Sequence, residues 1–199
     1  HCPACGAKVT RAPDEVALMC SNANCSAKHL EWISHFVSKK AFDIDGLGYK
    51  IVEQLTRVGL IATPADIFNL TKSDLVDLER FGEKSAENVV RSIKEKSKIT
   101  LPRVMVALGI LHVGEETAQD LADEFGSIEK LRSASLQGLE GVPHIGGIVA
   151  KSIFDWFRDA HNRRFLEKLL GRVDIEKYHQ PTGKLKGKTF VLTGSMEAM

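Results

Sequence analysis

Four cysteines, Cys2, Cys5, Cys20 and Cys25, are the only ones in this 199-residue sequence, and they are spaced C-x2-C-x14-C-x4-C. A tetrahedral zinc site needs this layout: each close pair binds the metal from one tight turn, and the loop brings the second pair round. The segment around them has few large apolar residues and cannot fold on a core of its own. A metal would replace that core, so binding energy becomes folding energy. Two disulfides, or unlinked buried thiols, are the competing readings. No secretory signal opens the sequence and no cysteine follows Cys25, so a disulfide scaffold is not expected. Four thiolates leave no position open for water or substrate, so the expected zinc is structural rather than catalytic. His1 and His29 flank the cluster and read as bystanders, because the cysteines already fill the shell.

A second pattern lies in the glycines. Gly46-Leu47-Gly48, Arg80-Phe81-Gly82, His112-Val113-Gly114 and His144-Ile145-Gly146 share one form, with closing glycines 34, 32 and 32 residues apart. Four residues after each closing glycine stand Val52, Ala86, Ala118 and Ala150; seven after stand Leu55, Val89, Leu121 and Ile153. Those offsets share one helical face, so a buried stripe recurs in register. The form resembles the helix-hairpin-helix motif, which many DNA repair and replication proteins use to hold the sugar-phosphate backbone. Glycine permits positive φ and close approach of a phosphate, and the helix that follows presents free N–H groups and its positive dipole end. The candidate DNA-binding residues are therefore Gly46, Gly48, Arg80, Gly82, Gly114 and Gly146. Arg80 can meet a phosphate by charge. His112 and His144 read as turn residues, with hydrogen-bond donation as the alternative. The acidic run after Gly114 makes the third copy mainly structural.

These hairpins need helices to place them. Thr71 can cap the helix before the second hairpin, with Asp74 closing a capping box. Thr63-Pro64 starts a helical segment with proline at its first position. Leu101 to Leu108 leads to the third hairpin, and Ser135 can cap the helix before the fourth. Residues 28–40 form a linker helix with Leu30, Ile33, Phe36 and Val37 on one stripe; Trp32 and His35 lie off it, where partial burial or contact with another domain is expected. Residues 161–170 form a last helix. The expected organisation is mainly α: a small four-cysteine zinc finger at 1–27, the linker helix at 28–40, four helix-hairpin-helix repeats at 41–172, a linker at 173–184, and at 185–199 a strand that begins a further domain. Gly183-Lys-Leu-Lys-Gly187-Lys188-Thr189 is not a phosphate loop, since its glycines stand one residue too close and its strand follows rather than precedes it.

Bulk composition bounds the reading. With 43% hydrophobic and 27% charged residues the chain is ordinary globular material, and a net charge of +1 neither demands nor excludes nucleic acid. No apolar stretch is long enough to span a bilayer, so a soluble intracellular protein is expected.

The order of these features resembles the C-terminal half of a bacterial NAD-dependent DNA ligase. The local matches are Cys2-Pro-Ala-Cys-Gly6, Phe36 to Gly48, Leu78 to Asn88, Ala107-Leu-Gly-Ile110, and Gly187-Lys-Thr-Phe-Val-Leu-Thr-Gly194, which is similar to the first strand of a BRCT domain. The resemblance implies that the parent enzyme seals nicks in duplex DNA during replication and repair. It uses NAD to adenylate a lysine, passes AMP to the 5′-phosphate and joins that end to the 3′-hydroxyl, with Mg2+ assisting. The adenylation and oligonucleotide-binding domains lie upstream, and the sequence holds no K-x-D-G motif. No catalytic residue is therefore expected here. The implied partner is nicked double-stranded DNA, and the implied location is the bacterial cytoplasm. Two other readings compete: a zinc-containing helical scaffold for protein interaction, and a helix-hairpin-helix nuclease, for which Asp43 and Asp45 lack a second acidic pair.

Overall fold

The fold is described here from a computed structural model for residues 1–11, 17–22, 24–79 and 81–179. Arg80 and the strand expected at 185–199 lie outside the described residues.

The first segment has little apolar material, and its described residues form turns and short strands rather than helices. The Cys2 N–H donates to the Ala7 carbonyl at 2.8 Å and the Gly6 N–H to the Cys2 carbonyl at 2.9 Å; Gly6 takes φ +68° to close this knuckle. Strands β1 (Val9–Thr10) and β2 (Met19–Cys20) pair antiparallel and return the chain to the second cysteine pair. Helix α1 (Ser26–Val37) follows with Cys25 at its N-cap. Its stripe of Leu30, Ile33, Phe36 and Val37 is buried as the spacing predicts.

Four helix pairs then repeat: α1 with α2 (Tyr49–Arg57), α3 (Lys72–Val76) with α4 (Glu83–Lys96), α5 (Leu101–Ala107) with α6 (Glu115–Phe125), and, after α7 (Ile128–Ser133), α8 (Leu136–Glu140) with α9 (Gly147–Arg158). The two-position stripe found in the sequence is the seam of these units: all eight residues are no more than 2% exposed. Each buried Val, Leu or Ile side chain of the stripe contributes roughly 1.5–3 kcal/mol, and each alanine less, so the repeat is held by this shared core. Helix α1 is the entering helix of the first unit, because it packs on α2; it does more than link. Caps set the starts. Asp74 accepts from the Thr71 N–H at 2.8 Å and Ser135 Oγ from the Gly138 N–H at 3.0 Å. The Thr63-Pro64 segment is a 3-10 helix, Pro64–Asn69, with Asp66 accepting from the Thr63 N–H at 2.7 Å.

Helix α10 (Ala160–Leu170) runs back along α9 and across the 3-10 helix. It meets Trp32 edge-on through Phe165, ring centroids 4.8 Å apart, and the His35 ring nitrogen lies 2.7 Å from the Val106 carbonyl. Both off-stripe residues of α1 therefore contact this chain's own helices. The segment expected to be a linker from residue 173 begins otherwise. Strand β4 (Asp174–Ile175) pairs parallel with β3 (Lys98–Ile99), with the Asp174 and Glu176 N–H groups donating to Ser97 and Ile99 carbonyls at 2.8 Å each. Two-residue strands carry too little periodicity to be read from sequence.

Candidate metal centre and nucleic-acid interface

The turn at Cys2–Ala7, the β1–β2 return and the start of α1 bring the four cysteines together, with all ligand atoms within 4.8 Å of one another. Cys2 Sγ lies 3.8 Å from Cys25 Sγ, and Cys5 Sγ lies 3.5 Å from Cys20 Sγ. A disulfide needs about 2.05 Å, whereas a tetrahedron of 2.3 Å Zn–S bonds has edges of roughly 3.8 Å. The spacing fits zinc. Main-chain amides prepare the thiolates: the Cys5 and Ala4 N–H groups hold Cys2 below the usual thiol range, and the Ala7 N–H brings Cys5 to about 6. The Asn22 N–H pulls Cys20 down, but loss of water and the crowding by Cys5, Cys2 and Cys25 together outweigh it and push Cys20 up to about 11. Sulfurs this close resist joint ionisation, and a divalent cation among them removes that resistance. His29 stands beside Trp32, ring centroids 5.8 Å apart, and is not in the ligand cluster.

The hairpins share a geometry. Gly48, Gly82, Gly114 and Gly146 are the N-caps of α2, α4, α6 and α9, all in extended backbone and none with a side-chain cap. A Cβ built on any of the four would meet nothing within 4 Å. Neither backbone strain nor packing explains glycine there, and serine or aspartate would cap better. What glycine leaves is room for an outside group to reach the first-turn amides. The opening position behaves differently. Gly46 has φ +86°, and a Cβ there would lie 2.5 Å from Val89 Cγ2 on α4. Gly46 is therefore required by the turn and by the packing of the first unit on the second. His112 and His144 hold the same left-handed turn at φ +67° and +63°, which is the turn role read from sequence. His144 Nδ1 also donates to Asp120 on α6 at 3.1 Å.

Electrostatics separate the four copies. The first turns of α2 and α9 contain no acid; α4 has Glu83, and α6 has Glu115 and Glu116. Two residues after the closing glycine come exposed Lys50 and Lys84 in the first two units, against Glu116 and Ile148 in the last two. Sequence reasoning did not count these two lysines among the candidate DNA-binding residues, although their common offset in the repeat was the available signal.

The geometry agrees with matches to three family models. Residues 1–27 match the family model described as the NAD-dependent DNA ligase C4 zinc finger domain. Residues 39–95, holding the first two hairpins, match a SAM-like helix-hairpin-helix tandem. Residues 103–166, holding the other two, match a helix-hairpin-helix motif.

Proposed function

We propose that this chain, which belongs to the NAD-dependent DNA ligase family through its zinc finger and helix-hairpin-helix domains, grips duplex DNA by its sugar-phosphate backbone without reading sequence. The observation that carries the proposal is the set of four glycine N-caps with open space where a side chain would stand. Each leaves a helix start without a side-chain cap, a ready site for a phosphate, and such contacts convey no base identity. Gly48, Gly82 and Gly146 are the main contacts in this reading, with Arg80, Lys50 and Lys84 adding charge. Gly114 contributes less, because two carboxylates follow it. The zinc finger holds the entrance to the first unit.

Nick sealing belongs to the larger enzyme. In this reading the adenylation and oligonucleotide-binding domains precede this part of the chain and carry NAD, Mg2+ and the nucleophilic lysine. The present residues then keep the nicked duplex in place during replication and repair in the bacterial cytoplasm. Titration of the zinc-loaded chain with a labelled nicked duplex at several salt concentrations tests the proposal. Affinity should fall by about 0.9 log unit per log unit of salt for each phosphate neutralised. No binding at low salt would end it. The scaffold alternative predicts that Gly48→Ser causes no selective loss of DNA affinity.

A further inference from the structure

A cavity of about 510 Å³ lies between the first and third units, lined among others by Lys39, Lys40, Arg103, Glu115 and Gln119. Three cations and one carboxylate meet there. Arg103 on α5 acts as a bracket: its Nε and Nη2 donate to the Ala41 and Lys39 carbonyls at 2.8 and 2.9 Å, so it fixes the backbone that carries both lysines. Lys40 Nζ lies 2.9 Å from Glu115, with both side chains more than half exposed. Lys39 forms no salt bridge among the described residues. Glu115 is the first residue of α6, directly after the open cap at Gly114.

The charges do not balance inside this cavity, and the excess is positive. The one carboxylate stands where it would repel a phosphate approaching the third hairpin, and it is tied to a lysine from another unit. We infer that Lys39 and Lys40, braced by Arg103, form a phosphate-binding site that serves the third hairpin in place of its own helix amides, with Glu115 as an internal counter-ion that holds Lys40 until DNA arrives. The inference rests on the duplex-binding reading above, and it names which side chains take one further stretch of backbone. DNA is favoured over a free anion because the cavity adjoins a hairpin of the same interface. The lysines are exposed, so replacing them leaves the core alone; exposed pairs of this kind contribute little to stability.

The test uses the whole zinc-loaded chain and a nicked duplex. Lys39→Ala with Lys40→Ala should weaken binding about tenfold and reduce the salt slope by about 1–2, as expected for lost phosphate contacts. Glu115→Gln should do the opposite and tighten binding about threefold or more, because it frees Lys40 and removes the repulsion. Thermal melting of each variant should match that of the unaltered chain. An unchanged slope in the lysine variant, or weaker binding in Glu115→Gln, overturns the site while the glycine-cap reading stands. A bracing role alone would appear as a lower melting temperature with unchanged DNA affinity, and that result also overturns it. If the unaltered chain binds no duplex, both readings fall together.

Discussion

The four units are built alike, yet equivalent glycines do different jobs. Gly46 belongs to the fold: its positive φ and its 2.5 Å approach to Val89 make Gly46→Ala costly, on the order of 1–3 kcal/mol from backbone strain with further loss from the clash. Gly48 belongs to the surface. Gly48→Ser should keep or slightly raise the melting temperature, since serine is a good N-cap, while duplex affinity falls several-fold. Binding and melting measured on the two single variants separate these roles, whereas a double replacement confounds them. If Gly48→Ser binds as tightly as the unaltered chain, the space at that cap has no part in gripping DNA. Sequence spacing located both glycines but not this division, because it depends on a contact with a helix more than 40 residues away.

At the scale of elements, caps and ion pairs tie short helices to their neighbours. Asp43 is held below the usual carboxylate range by the Lys96 ammonium at 2.8 Å. Burial pushes Asp66 up, but Lys168, the Thr63 hydroxyl and nearby amides outweigh it and bring it down. Asp74 is lowered by the Thr71 hydroxyl and N–H. Each folded value lies below the unfolded one, so the stability they add is complete above about pH 3.9 and is lost as pH falls through the lower folded values. The melting temperature should therefore drop steeply below about pH 4, and a flat profile from pH 6 to pH 2 would contradict these pairings. The zinc finger is a separate element joined at Cys25, which is both a member of the four-cysteine cluster and the N-cap of α1. A chelator should release residues 1–25 and fray the first turn of α1 while most helical circular dichroism remains. Loss of the whole helical signal in one step would show that the finger and the helices form a single cooperative unit.

The molecule as a whole is closed by a strap. After α10 the chain pairs β4 with β3, and Tyr178 donates its hydroxyl to Asp123 on α6 while accepting from Gln119 at 2.6 Å. Burial and the Asp123 carboxylate push Tyr178 up to about 12, so it stays a donor at neutral pH. This joins the end of the fourth unit to the junction of the second and third, and it places the first half of the expected linker on the body of the protein. Tyr178→Phe should lower stability by about 1–2 kcal/mol and speed amide exchange at Asp174 and Glu176, with duplex affinity unchanged. Unaltered exchange there would mean that the strap holds without the tyrosine.

The sequence by itself determined the four-cysteine cluster, the four-fold repeat and its buried stripe, because chelate spacing and helical periodicity are local and survive without knowledge of neighbours. The capping box at Thr71 and the cap at Ser135 were legible for the same reason. Only the tertiary structure decided that α1 enters the first unit, that Gly46 faces Val89 while Gly48 faces open space, that Lys39, Lys40 and Arg103 gather beside the third hairpin, and that residues 174–175 form a strand. Each of those rests on a contact between segments far apart in the chain, and a contact of that kind leaves no periodic trace in the residues that make it.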